Sequence, residues 1–418
     1  MSTRTREFQV LAPVATRDRL APTTPAAVVP KRFPWGVAGC AVVGFATPFT
    51  VEWMGNFPVA EWFLLGMAVW ALVARVLFRR WPSGVFQSRW FTVLAVCQIV
   101  SLGGYMLADL YRGSAPHDYI RGWARMTFLL VDLVGLAALV GNSWRGWFAM
   151  KIGLAFGTML EAACFGPLYD DWWKFGVGMP ITILLLATLG NRRAWSAAAL
   201  ALLGGVHLFM GFRGLGGVCL LLAAMLCAPA LALRWRLPII GLAMFGAAAC
   251  FVAFLFNTDN GTRNSDSERQ AMVETAASEF ADSPFIGQGS WFSTTHIIRK
   301  IEARRMHLEE GFGGYNEEDA DKLSIHSQLL VALAEGGILG GTFFIVFGLM
   351  LLWSLFYAVL VPGPQRPLVL LFLLEAIGNL CISPFSGPAR VHIAAATVLV
   401  LLLWLERQGR LDRLEARR

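Results

Sequence analysis

No cysteine of this 418-residue chain stands outside a long apolar run. The seven (Cys40, Cys97, Cys164, Cys219, Cys227, Cys250 and Cys381) therefore offer neither an extracellular disulfide framework nor a metal-ligand spacing. They read as small apolar helix residues. The six histidines, His117, His207, His296, His307, His326 and His392, show no ligand spacing either, and no metal or other cofactor is expected. Charge is scarce. Asp, Glu, Lys and Arg make up 15% of the residues against 56% hydrophobic, which excludes an ordinary soluble domain. No internal repeat relates the two halves, as one does in many transporters. The polar, Arg- and Pro-rich N-terminal tail is not expected to be a cleavable signal peptide, because the first apolar run begins too far in.

What is present is membrane-like. Mean hydropathy is +0.57, and apolar runs of the length that spans a bilayer recur. They predict twelve spans, at about 35–52, 59–77, 90–108, 124–140, 149–166, 174–190, 195–211, 215–232, 237–256, 335–360, 367–383 and 390–405. With the N-terminus in the cytoplasm, 22 of the 35 Lys and Arg fall in inside segments, and the short outer loops are nearly bare. The expected fold is an all-α polytopic membrane protein with both termini cytoplasmic. It divides into a basic tail (1–34), spans one to nine (35–256), a loop (257–327), spans ten to twelve (328–405) and a second tail (406–418). The net charge of +7 records this topology and needs no nucleic-acid partner.

One loop is long, on the non-cytoplasmic side between spans nine and ten, and long loops are usually functional. "NSDSERQAMVETAASEFADSP" predicts an amphipathic helix with Ser265 or Asp266 as N-cap, Met272, Val273, Ala276 and Phe280 as its apolar stripe, and Pro284 after its end. "FIGQGSW" reads as a Gly-rich turn. "STTHIIRKIEARRMHLEE" reads as a second helix with Ile297, Ile298 and Ile301 on one face. "GFGGYNEEDADK" lacks calcium-loop spacing and reads as solvated surface.

Cations gather on that outer side against the positive-inside bias: Arg263, Arg269, Arg299, Arg304 and Arg305 in the loop, Arg213 in the turn "GFRGLGG", and Arg390 at the outer end of span twelve. Arginine forks match phosphate oxygens and stay charged, so such a cluster suits a membrane-anchored phosphate or pyrophosphate. The loop arginines have acids nearby in Glu268, Glu302 and Glu309 with which to pair; Arg213 has none close in sequence. Asp132, Glu161, Glu335 and Glu375 fall within apolar runs and are expected to face the bundle interior or a cavity, as a proton path or as interhelical contacts.

At the loop's exit stands "SIHSQLLVALAEGGILGG", Ser324 to Gly341. On a regular helix His326, Leu330, Leu333, Gly337 and Gly340 share a face, and Glu335 lies opposite and deeper, out of reach of His326. The glycines are expected to allow close helix packing, with Gly336-Gly337 able to bend the helix. A histidine at the membrane boundary has a pKa suited to accepting a proton from a sugar hydroxyl.

Three segments carry a family resemblance. "HSQLLVALAEGGILG" has His, Ser, nine residues, Gly, two residues and a small residue; "SERQAMVETAASEFADSPFIGQGSW" places an arginine before an amphipathic helix and an "sPfiGxG" turn; "MGFRGLGG" matches a "tgSRg" turn, with Phe212 where a small residue is usual. Across about residues 195–345 the sequence resembles the O-antigen ligase and O-antigen polymerase superfamily of GT-C-like bacterial inner-membrane glycosyltransferases. The resemblance implies transfer of a glycan from undecaprenyl pyrophosphate to a hydroxyl of lipid A–core (ligase) or of another lipid-linked repeat (polymerase), without a metal. It implies His326 as base or acceptor-orienting residue, with Arg213 and Arg269 on the pyrophosphate; Arg299 joins them by its place in the loop. One-step displacement would invert the anomeric carbon. A transporter or flippase, and a transferase to protein acceptors, are the competing readings.

Overall fold

The structure, a computed structural model, describes residues 35–52, 56–79, 81–165, 172–227, 263–291, 300, 301, 303, 327–383 and 387–415. Among them are twelve helices: α1 (Trp35–Ala46), α2 (Val59–Phe78), α3 (Arg89–Arg112), α4 (Pro116–Val140), α5 (Trp144–Phe165), α6 (Trp173–Leu189), α7 (Arg193–Phe209), α8 (Arg213–Cys227), α9 (Arg263–Asp282), α10 (Gln328–Leu360), α11 (Arg366–Ile382) and α12 (Gly387–Glu415). Eleven coincide with predicted spans and α9 is the predicted loop helix; the span expected at 237–256 lies outside the described residues. Six are long and apolar enough to cross a membrane: α2, α3, α4, α5, α10 and α12 over Gly387–Leu411. Their outward faces are apolar, as on α2, where Trp62, Phe63, Val69, Trp70, Leu72 and Val76 are exposed. Such a face suits lipid.

The first predicted span is shorter than expected. Pro48 has no N–H to continue a helix, and Thr47 closes the last turn onto the carbonyls of Val43 and Gly44. The chain then forms a β-hairpin, β1 (Thr50–Glu52) with β2 (Asn56–Pro58), Val51 opposite Phe57. Small residues set the bundle's spacing. α1 and α5 run parallel in backbone contact: a Cβ at Gly153 would sit 2.1 Å from the Ala41 carbonyl oxygen. α3 and α10 run antiparallel, with Gly104 against Gly340 and the Phe343 N–H donating to Ser101 Oγ at 2.9 Å.

The bundle has two chemically distinct ends. At one, Arg79, Arg89, Arg145, Arg192 and Arg193 stand at helix termini, and Arg366 and Arg410 share the Glu406 carboxylate at 3.1 and 2.8 Å. Lys151 lies inside the bundle, buried, with Nζ 4.0 Å from the Phe372 ring centre. The other end carries the hairpin, the α3–α4 and α7–α8 turns, α9 and the starts of α6, α10 and α12.

Candidate functional site

The site is built at that second end, around Ser283–Trp291, which connects α9 to the bundle. α9 is the predicted amphipathic helix, with its buried stripe slightly rotated. Ala271, Met272, Thr275, Ala276 and Glu279 are buried, while Val273 and Phe280 are only half-buried. It packs Ala276 on Val331 and Ala334 of α10, and Ala271 and Met272 on Ile301. Lys300 pairs with Glu279.

α10 opens to receive the turn. Gly337 has φ 63° and ψ −161°, a conformation that interrupts the helix. The carbonyls of Ala334 and Glu335 accept instead from the N–H groups of Gln288 and Gly289, each at 2.9 Å, and the Ile338 N–H donates to the Pro284 carbonyl at 2.7 Å. Contact is close enough to demand glycine on both sides. A Cβ at Gly337 would lie 2.4 Å from the Phe285 carbonyl, and one at Gly287 2.4 Å from the Glu335 carbonyl oxygen. Thus Gly337 bends the helix, while Gly336 and Gly340 pack on the Tyr105 ring.

A buried polar network completes the dock. Asp109 of α3 accepts from the Ser290 N–H at 2.5 Å, the Ser290 hydroxyl at 2.8 Å and the Trp123 indole N–H at 2.7 Å. Arg112 Nε donates to the Gly287 carbonyl at 3.1 Å. Glu335 accepts from the Trp291 N–H at 3.2 Å and pairs with Arg125 of α4. The Trp291 ring lies against two guanidinium groups, 4.5 Å from Arg125 and 4.9 Å from Arg121. Glu335 is therefore an interhelical contact, one of the two roles expected of it, and Arg121 and Arg125 are cations of this end that sequence reasoning missed. The signal available was their place in or beside a predicted outer connection, against the positive-inside bias.

No family model matches the chain, and no curated protein matches it. Its chemistry therefore has to be read from its own residues.

Arg213 begins α8, exposed, with no carboxylate within ion-pair distance among the described residues. Arg269 lies in α9, its side chain outside the described residues; Arg299 and His326 lie outside them too, as do Arg304 and Arg305. α10 starts later than a helix over 324–341 would. Ser327 is its N-cap, accepting from the Leu330 N–H at 3.2 Å, and the break at Gly337 keeps Leu330, Leu333, Gly337 and Gly340 from forming one regular helical face. Arg390 departs from its expected phosphate role: it is buried, and its fork grips both oxygens of Glu61 at 2.9 Å. Asp132 stands beside this pair.

Two histidines also find places. His207 accepts from the Trp173 indole N–H at 3.0 Å, which leaves its other nitrogen to donate to Thr182 Oγ1 at 3.0 Å; Thr182 donates onward to Gly178. It is a satisfied structural residue. His392 faces Glu375, Nδ1 to Oε1 4.0 Å, near the buried Lys151.

Proposed function

We propose that the protein is an inverting glycosyltransferase of the outer face of the bacterial inner membrane. It moves a glycan from undecaprenyl pyrophosphate to an acceptor hydroxyl, as an O-antigen ligase acting on lipid A–core. Joining of lipid-linked repeats by a polymerase is the same chemistry with another acceptor. The orientation follows from the arginine-rich end as the cytoplasmic one. One observation carries the reading: the two longest segments of the family resemblance, "SPFIGQGSW" and "HSQLLVALAEGGILG", interlock through the break at Gly337. They pack as one unit, and Ser327, the residue after His326 in sequence, is the N-cap of α10.

In the proposed step the acceptor hydroxyl attacks the anomeric carbon and the carbon–oxygen bond to pyrophosphate breaks. His326 takes the hydroxyl proton. Arg213, Arg269 and Arg299 meet the charge growing on the leaving pyrophosphate, the task a metal performs elsewhere. The docked turn holds α9 against α10.

The test is a lipopolysaccharide gel from a deletion strain. Rough lipopolysaccharide with polymer retained on the lipid carrier supports a ligase, and a core bearing a single repeat supports a polymerase. Unchanged lipopolysaccharide and exopolysaccharide removes the reading. The buried charge groups Glu61–Asp132–Arg390 and Lys151–Glu375–His392 favour a second reading, proton-coupled export. In that case lipid-linked glycan accumulates on the cytoplasmic leaflet of the deletion strain rather than the outer one.

A further inference from the structure

At the arginine-rich end of the bundle the fold encloses polar atoms that it does not pair. The loop from α10 to α11 turns back there. The Arg366 N–H donates to the Asn191 side chain at 3.1 Å, and the Arg410 guanidinium of α12 donates to the Pro362 carbonyl at 2.7 Å. Arg366 is buried, its guanidinium lying directly on Gly363, where a Cβ would overlap it. Arg366 and Arg410 both donate to the same oxygen of Glu406, Oε1. Arg366 Nε and Nη1, Arg410 Nε and the Trp404 indole N–H are enclosed without an acceptor among the described residues. Glu406 Oε2 and Gln365 Oε1 are enclosed without a donor. Buried polar groups are normally paired, so such a cluster calls for a bound molecule.

Charge gives the sign of that molecule. Arg366, Arg407, Arg410 and Glu406 stand about the Tyr357 hydroxyl. Among the described residues, three guanidinium groups thus meet one carboxylate, and Arg407 makes ring contacts but no ion pair. The uncompensated positive charge favours an anion.

Surroundings give its source. Trp353 stacks on Trp404, ring centres 3.9 Å apart, and on Tyr357 at 5.4 Å; Trp90 packs on Trp404 at 4.5 Å, and Arg407 lies 4.8 Å from the Trp353 ring. Gathered tryptophan and tyrosine at the ends of apolar helices mark the level of lipid headgroups. The phosphate of a phospholipid is the anion found at that depth, and basic pockets between membrane helices hold such groups. The unpaired acceptors narrow the choice. A headgroup with hydroxyls supplies donors for Glu406 and Gln365, which a choline headgroup does not.

We propose that this cluster binds an anionic phospholipid with a hydroxylated headgroup, of which phosphatidylglycerol is a simple case. The phosphate accepts from Arg366, Arg407 and Arg410, and the headgroup hydroxyls donate to Glu406. The way in lies past Arg410, whose long side chain is 40% exposed and can turn aside. On the orientation proposed above the lipid belongs to the cytoplasmic leaflet; the site itself does not depend on the glycan-transfer reading.

The experiment is native mass spectrometry of the full chain released from phosphatidylcholine nanodiscs that contain equal amounts of phosphatidylglycerol and phosphatidylethanolamine. Phosphatidylglycerol should be retained at least several-fold more than phosphatidylethanolamine. It should also raise the unfolding midpoint of the protein in phosphatidylcholine nanodiscs, whereas inorganic phosphate should not; the reverse would assign the cluster to free phosphate and overturn the lipid. Arg407→Gln has no ion pair to lose among the described residues, so it should fold, and it should weaken retention by about tenfold. Trp404→Phe keeps the ring packing and removes the enclosed N–H; it should weaken retention less, by a few-fold. Arg145→Gln, an exposed arginine of the same end that is not one of the group about Tyr357, should change nothing. Equal retention of the two lipids, retention unchanged in both Arg407→Gln and Trp404→Phe, or an equal loss in Arg145→Gln overturns the proposal.

Discussion

Arg125 and Glu335, 210 positions apart in the chain, meet as a buried ion pair between α4 and α10, with the Trp291 ring against the guanidinium. Loop, early helix and late helix thus close on one another at a single point. Either partner left alone would be an uncompensated buried charge. Arg125→Ala or Glu335→Ala should each cost about 3–5 kcal/mol, read as a lowered unfolding midpoint of the detergent-solubilised protein. The double variant Arg125→Ala/Glu335→Ala should lose clearly less than the sum of the two. Strict additivity would mean that the pair is not coupled.

Gly337→Ala tests the break in α10. The substitution forces a side chain into a positive-φ conformation and onto the Phe285 carbonyl, 2.4 Å away. Backbone strain alone is worth about 1–3 kcal/mol. The loop should undock, becoming open to limited proteolysis near Ser283–Trp291. Gly66→Ala, which points into open space on α2, should leave the digestion pattern unchanged.

Asp132→Asn should leave stability unchanged or raise it. The native carboxyl stands beside Glu61, and an amide in its place can donate to the Glu61 carboxylate without adding a second negative charge. By contrast, Arg390→Ala strands Glu61 and should be severely destabilising, on the order of 3–5 kcal/mol. Differential scanning fluorimetry distinguishes the two; a large loss in Asp132→Asn would count against this account of the cluster.

Arg213→Ala should fold normally, because its side chain is exposed and makes no ion pair among the described residues. Transfer from a lipid-pyrophosphate donor should nevertheless fall by about 10²–10³, the usual effect of removing one fixed group that stabilises developing charge. Arg213→Lys should recover part of this, having charge without the fork. Full activity in Arg213→Ala would remove this residue from the pyrophosphate site.

Much of the fold was legible because hydropathy and helical period are local signals. Eleven predicted spans and α9 coincide with helices for that reason, and Pro284 marks the end of α9. The polar dock was not legible. Arg112 reaches a carbonyl 175 positions away, and Asp109 holds Ser290 across 181; no periodicity records such pairings. A cavity lined by Thr47, Thr158, Glu161, Phe175 and His392 was missed on similar grounds. Glu161 was noticed as a charge in an apolar run and His392 was set aside for want of ligand spacing, and only folding brings them to one wall. Arg390 misled in the opposite way. Its position at a span end fits a phosphate ligand, but Glu61, on a distant helix, already occupies its fork.

The break at Gly337 has a consequence for how the protein is made. The ribosome delivers Ser283–Trp291 before α10 exists, and the backbone groups that this turn needs belong to α10. Until α10 is threaded into the bilayer, the N–H groups of Gln288 and Gly289 have no carbonyls to meet. This end of the bundle is therefore assembled late, from both halves of the chain at once, and a chain cut before α10 cannot form the dock.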